Sequence, residues 1–209
     1  MVKFVPRSIR KIAIARATKI VRAVQKYLAP DYKINPRLVG SAKYNAVICD
    51  DRGVYDMDYQ LVLTNNCNCE KFDADVIRKK FFTAFNAVKN ENEKVENSTS
   101  VITVRVSNSK EKFDSNDEIF SFDFAIIIEN NKGSFITRRN GDNQYVWNEL
   151  PSKNSYIYET YRSLAYIDQK KVIDRIISRK IEEKAKPKDK RIPSSVIFME
   201  EVNNFGGRQ

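Results

Sequence analysis

Two aspartates that open an apolar strand constrain this chain more than any other feature. Tyr55-Asp56-Met57-Asp58-Tyr59 leads into Gln60-Leu61-Val62-Leu63. On an extended segment residues two apart share a face, so Asp56 and Asp58 present both carboxylates to one side, about 7 Å apart along the strand. Ser121-Phe122-Asp123-Phe124 opens a second apolar run, Ala125-Ile126-Ile127-Ile128. With that run as the neighbouring strand, Asp123 lies about 5 Å across the sheet and completes a cluster of three carboxylates. Such a cluster repels itself unless cations neutralise it. Mg²⁺ (or Mn²⁺) is the expected occupant, because it takes oxygen ligands and keeps positions open for phosphate oxygens. The fold that satisfies this is α+β, a mixed β-sheet with its polar edge of carboxylates at one side and helices covering its apolar face.

Length and charge narrow the partners. A chain of 209 residues is long enough for one well-packed mixed domain with a helical appendage. Its 37 Lys and Arg against 27 Asp and Glu leave a net charge of +10, which favours a polyanionic partner, nucleotide or nucleic acid. The chain has no histidine. That excludes Ser-His-Asp and Cys-His hydrolases and His-ligated zinc. Cys49, Cys67 and Cys69 are odd in number, and Cys67-Asn68-Cys69 has the wrong spacing for a zinc pair, so reduced thiols are expected. No stretch approaches the roughly 20 apolar residues of a membrane span, and Met1 to Pro6 lacks a signal-peptide core. The expected location is the cytoplasm, with no membrane partner.

Along the chain, Ser8 is positioned to cap a helix over 8–28, with Ile9, Ile12, Ala13, Ala17, Ile20, Val21, Val24 and Leu28 as its apolar stripe. Lys11, Lys19, Arg22 and Lys26 form a basic face, read as a solvated surface. Asp50 and Asp51, with Arg52 and Gly53, are turn chemistry. A second helix is expected from Asp73 to Lys89, strands over 101–106 and 119–128, and a hairpin around Asn140-Gly141. From Ser155 to Lys184 the pattern is helical, broken near Asp168. This divides the chain into a core over 1–150 (helix 8–28, catalytic sheet 40–150), a short helical lobe over 151–185, and a basic linker and tail over 186–209.

Nucleotidyl transfer needs an attacking hydroxyl, an in-line pyrophosphate leaving group and charge stabilisation at both oxygens, which two divalent ions held about 3.5–4 Å apart by bridging carboxylates supply. Gly40-Ser41 suits the triphosphate: a glycine lets backbone N–H groups approach and a serine hydroxyl adds a hydrogen bond. The run from Gly40-Ser41 through Asp56-Met57-Asp58 to Phe122-Asp123-Phe124 resembles the signature of the DNA polymerase β-like nucleotidyltransferase superfamily. It is most similar to the branch of oligoadenylate synthetases and bacterial cyclic-oligonucleotide synthases, the CD-NTases. The resemblance covers about residues 8–130 and implies that Asp56 and Asp58 bind both metals, that Asp123 binds the catalytic one, and that Gly40 with Ser41 holds the triphosphate.

It also implies a short helix after Ser41, whereas Asn45-Ala46-Val47-Ile48-Cys49 has the composition of a strand. The branch carries a larger C-terminal helical region than this chain has, so its pockets are expected to be abbreviated or completed by another subunit. The activity implied is transfer of a nucleoside monophosphate from an NTP to a hydroxyl of a nucleotide or RNA. The alternatives are a catalytically degenerate nucleic-acid-binding module and a toxin or defence enzyme that modifies RNA or protein. Trp147, Tyr158 and Tyr161 are read as packing residues before nucleobase platforms. Lys170 and Lys171 are the lobe's candidates for neutralising phosphates.

Overall fold

The strand that carries Asp56 and Asp58 sits near the centre of a mixed sheet. The computed structural model describes residues 3–29, 31–64, 72–109, 112–150 and 155–206. Its principal strands are β2 (Ile34–Leu38), β4 (Tyr55–Leu63), β5 (Glu93–Asn97), β6 (Ile102–Ser107), β7 (Glu118–Asn130), β8 (Gly133–Arg139) and β9 (Tyr145–Glu149). Two further short strands, β1 (Lys3–Phe4) and β3 (Ile48–Cys49), pair with each other. The larger sheet runs β2-β4-β7-β6-β5, and the β8–β9 hairpin joins it on the second half of β7. Among the described residues only β4 and β7 pair in parallel; the other pairs in this sheet are antiparallel. A parallel pair needs a long crossover, and here the chain between them forms α3 (Ala74–Val88), β5 and β6.

The period-2 pattern of β4 divides the sheet into a core face and a polar face. Tyr55, Met57, Tyr59 and Leu61 are buried on the first, while Asp56 is exposed and Asp58 and Gln60 are half-buried on the second. On β7 the alternation repeats, with Phe120, Phe122, Phe124 and Ile126 in the core and Ser121 and Asp123 on the polar face. Helices α1 (Arg7–Leu28) and α3 contribute Ala17, Ile20, Val24, Ile77, Phe81 and Phe85 to that core. Phe81, Phe85, Phe122 and Phe124 are fully buried, and each such side chain stabilises the fold by about 1.5–3 kcal/mol. Asp73 caps α3 by accepting hydrogen bonds from the backbone N–H groups of Asp75 and Val76.

Helix α1 departs from its pattern at the N-terminus. It starts at Arg7 with Pro6 as the capping residue, and Ser8 makes no cap; the Pro6 carbonyl accepts from Ile9 N and Arg10 N instead. Ile9 and Ile12 are not in the stripe: they are 52% and 69% exposed, and Arg10 takes the buried position at 1%. A helical turn is 3.6 residues, so Arg10, Ala13, Ala17 and Val24 share one face and Ile12 points away from it. Lys11, Lys19, Arg22 and Lys26 are exposed as expected.

The C-terminal third builds a second, smaller core. Helices α4 (Ser155–Ser163), α5 (Tyr166–Ala185) and α6 (Ser194–Gly206) enclose Ile157, Leu164, Val172, Ile176, Ile197, Phe198 and Val202. The break between α4 and α5 falls at Leu164-Ala165, and Asp168 lies in the first turn of α5. The segment after residue 186 is more than a linker: α6 folds back onto both other helices, driven by the burial of Ile197, Phe198 and Val202. Among the described residues no helix is long and apolar enough to cross a membrane. Cys49 is buried and free, while Cys67 and Cys69 lie outside the described residues.

Candidate active site

Between the polar face of the sheet and the helical lobe lies a cleft of about 680 Å³. Asp56, Asp58, Asp123, Gly40 and Ser41 all line it. Strand register does most of this. Asp58 and Asp123 are direct partners across the parallel β4–β7 pair, and Asp56 is two residues back on the same face. The register also explains two hydroxyls that the sequence reading passed over. Ser121 is the β7 partner of Asp56 and donates to its Oδ1 at 2.7 Å; Thr103 is the β6 partner of Asp123 and donates to its Oδ1 at 2.6 Å. Hydroxyl donors of this kind fix carboxylate orientation.

The Gly40-Ser41 turn is held against the same strand. Val39 N donates to the Asp58 carbonyl at 2.9 Å, and α2 (Gly40–Lys43) follows at once. Gly40 has φ +60°, and a Cβ there would overlap Asp58 Oδ2. The glycine is therefore required for the position of the Asp58 carboxylate. After α2 the chain turns through Asn45, itself at φ 59°, into β3. Helix and strand are thus both present, a four-residue helix before the turn and the two-residue β3 after it. Asp50 is turn chemistry as expected: its Oδ1 accepts from Arg52 N and Val54 N.

The electrostatics of the carboxylates favour a cation. Burial first, then the charges of Asp123 and Asp56, push the Asp58 carboxyl up to about 6, against the pull of Lys180. Asp123 is also raised, by burial and by Asp56, with the Thr103 hydrogen bond and Arg105 opposing. Gln60, next on the same face of β4, has a buried Oε1 with no donor among the described residues. The Asp56, Asp58 and Asp123 carboxylates are oxygen donors of the type a hard divalent ion takes, and such a charge would remove the mutual repulsion. Among the described residues, no group of three or more acidic or thiol side chains is arranged to hold a metal ion.

The wall opposite is cationic. Lys180 of α5 is buried, donates to the Ala46 carbonyl at 2.8 Å, and lines the cleft with Lys184 and Arg191. Burial drives the Lys180 ammonium down to about 8, with Asp58 pulling the other way. Lys170 and Lys171 are not on this wall; Lys171 is exposed and pairs with Asp168 on its own helix. The signal that distinguishes Lys180 is weak in the sequence. It lies four residues after Ile176 and so falls on the apolar stripe of α5, where a lysine needs a partner. Arg191 reaches the cleft because its guanidinium is anchored to the carbonyls of Lys184 and Lys186, and Glu183 Oε2 accepts from Ile192 N.

Of the three aromatics, Tyr158 lines the cleft, packed on Tyr44 and Phe198 with ring centroids at 5.6 and 5.5 Å. Tyr161 packs edge-on to Tyr44 behind it. Trp147 is elsewhere, against the main core, with its indole N–H donating to the Phe72 carbonyl.

No known protein-family profile matches the chain, and no curated protein sequence matches it. Solved structures do match. CdnG, a CD-NTase from Bradyrhizobium diazoefficiens solved in complex with GTP, superposes with a TM-score of 0.61 at 12% identity, covering 95% of this chain and 65% of that one. The chain has the CD-NTase fold. CdnC from E. coli MS115-1, solved with ATP, gives 0.54 at 14% identity over 98% of this chain and 64% of that one. DncV from Vibrio cholerae in its GTP-bound form gives 0.56 at 12% identity over 91% of this chain. This chain spans only 50% of DncV.

Proposed function

We propose that the cleft transfers a nucleoside monophosphate from an NTP to a hydroxyl of a nucleotide or RNA, with release of pyrophosphate. The observation that carries this reading is the alignment of Asp58 with Asp123 across parallel strands, with Asp56 on the same face and Gly40-Ser41 packed against Asp58 in one cleft. The CD-NTase fold, and the GTP and ATP named for the solved structures that share it, support the same substrate class.

In this reading Asp56, Asp58 and Asp123 hold two Mg²⁺ or Mn²⁺ ions. When bound, such ions supply Lewis acidity at the transferring phosphoryl group and lower the pKa of the attacking hydroxyl. Ser121 and Thr103 keep the Asp56 and Asp123 carboxylates oriented. The Ser41 hydroxyl and the backbone beside Gly40 bind the triphosphate, while Lys180, Lys184 and Arg191 on the opposite wall neutralise its charge. Tyr44, Tyr158 and Phe198 supply the apolar surface for the base.

The test is incubation with each α-labelled NTP and Mg²⁺ or Mn²⁺, with and without RNA. Labelled product with stoichiometric pyrophosphate is expected, and Asp58→Asn is expected to remove both. Pyrophosphate release that survives Asp58→Asn would sink the reading. Metal-independent RNA binding without pyrophosphate release would identify a binding module instead.

A further inference from the structure

Among the described residues Arg10 and Arg78 are the largest fully buried side chains, and no carboxylate of those residues is a hydrogen-bond partner of Arg10. A buried guanidinium is costly unless its N–H groups are all directed at acceptors. Those of Arg10 are spent in one place. Nη1 donates to the Ala42 carbonyl at 3.2 Å, Nη2 to Asn45 Oδ1 at 2.9 Å, and Nε to the Val5 carbonyl at 3.1 Å. Ala42 and Asn45 form the exit of the turn that begins at Gly40-Ser41, and Ala46 N returns to the Ser41 carbonyl at 2.9 Å. A four-residue helix does not hold its own shape, because one or two intrahelical bonds do not offset the cost of nucleation. Its terminal carbonyls also need outside donors.

We infer that Arg10 is a positioning residue for the triphosphate turn: from the first turns of α1 it locks Ala42 and Asn45, and through them sets Ser41 and Gly40 against Asp58. This rests on the nucleotidyltransferase reading above. The planar fork is essential, since its fixed directions join Val5, Ala42 and Asn45 at once, which a lysine ammonium on a flexible stem does not reproduce. It follows that the N-terminal strand and helix act on nucleotide affinity without touching the nucleotide.

Arg78 is the internal control. It is equally buried and makes a similar set of bonds, to Asn97 Oδ1, the Ser98 and Ser100 carbonyls and Thr137 Oγ1, but none of those residues lies in the Gly40–Ala46 segment, whereas Ala42 and Asn45 sit between the cleft residues Ser41, Tyr44 and Ala46. A merely structural role for Arg10 would make the two interchangeable in their effect on ligands.

The experiment titrates ATP and GTP, each against its monophosphate, into the whole chain with Mg²⁺, for wild type, Arg10→Lys, Asn45→Gly and Arg78→Lys, with a thermal melt of each. Arg10→Lys is expected to weaken triphosphate binding about tenfold, the worth of one charge-assisted hydrogen bond, with monophosphate affinity held within about threefold. Asn45→Gly keeps the left-handed backbone and removes only the acceptor, so a smaller loss in the same direction is expected. Arg78→Lys is expected to lower the melting temperature and leave both affinities unchanged. Wild-type triphosphate affinity in both Arg10→Lys and Asn45→Gly overturns the inference, as does equal loss of tri- and monophosphate, or an equal loss in Arg78→Lys. Should Arg10→Lys fail to fold, Asn45→Gly decides by the same criteria. A folded wild type that binds no triphosphate overturns the nucleotidyltransferase reading itself, and this inference with it.

Discussion

The sheet wall of the cleft carries Asp56, Asp58 and Asp123, and the lobe wall facing it carries Lys180, Lys184 and Arg191. The two are built differently. On the sheet wall, strand register places each carboxylate, and backbone hydrogen bonds to both neighbours hold β4 and β7 in place. On the lobe wall the cations sit on a helix and a loop, placed by the packing of a separate apolar cluster and a few anchors such as Arg191 to the Lys184 carbonyl. The walls also need each other. Burial costs the Lys180 charge what the Asp58 charge partly restores, and Asp58 is eased in the same way. The sheet wall should therefore respond to changes of chemistry with little change of fold, and the lobe wall should show itself as a charge that titrates.

The largest effect tests the sheet wall. Asp58→Asn, Asp56→Asn and Asp123→Asn are each expected to abolish labelled-product formation without lowering the melting temperature. The folded pKa of Asp58, about 6, lies above the ordinary 3.8, so the stability it contributes is fully present below pH 3.8 and is lost as pH rises through about 6. In chelator, Asp58→Asn should therefore be more stable than wild type at pH 8, by about 2–3 kcal/mol, with the gap closing toward pH 4. A melt series that shows the variant less stable at pH 8 would remove the repulsive cluster from the comparison.

Gly40→Ala comes next. It forces a side chain into the left-handed region and onto Asp58 Oδ2, and a displacement of that order costs about 100-fold in kcat/KM. Steady-state rates near wild type would show that Asp58 need not stay where it is. Ser41→Ala should be milder, about 10- to 150-fold in kcat/KM, and selective for triphosphate over monophosphate, because it removes one hydrogen bond to a charged group. An equal loss for both nucleotides would move the phosphate site away from the turn.

The lobe wall is tested by pH. Lys180 titrates at about 8 in the folded chain, so kcat/KM should fall as pH rises through that value and the cation is lost. Lys180→Arg, always charged, should shift the alkaline limb upward; an unchanged limb would assign it to another group. The smallest effect is expected from Lys171→Ala. It breaks an exposed pair with Asp168, worth at most about 1 kcal/mol, and should leave the rates as they are.

Much of the fold was legible from local pattern. The period-2 alternation of β4 put Asp56 and Asp58 on one face and its apolar partners on the other, and Asp73 ahead of an apolar stripe marked the start of α3. The wide separation of Asp58 from Asp123 along the chain was bridged by taking their two runs as neighbouring strands and by the resemblance, because pairing of distant strands leaves no local trace. Where local pattern misled, a tertiary contact outweighed it. Ile9 and Ile12 match the helical period of α1, yet Arg10 is the buried residue there, because Val5, Ala42 and Asn45 offer it acceptors. The segment after residue 186 has the charge run of a linker, yet it closes the lobe, since Ile197, Phe198 and Val202 find an apolar surface on α4 and α5.

By itself, then, the sequence determined what period and composition encode: the strands, the helices, the side of β4 on which the carboxylates stand, and a charge suited to phosphates. Only the tertiary structure decided which residues meet those carboxylates. Ser121 and Thr103 became their donors through strand register, and Lys180, not Lys170 or Lys171, became the facing cation through the way α5 docks beside Ala46. Side-chain period records the face a residue occupies on its own element; what lies opposite is set by long-range packing, whose free energy is spread over many distant apolar contacts and written in no single stretch of the chain.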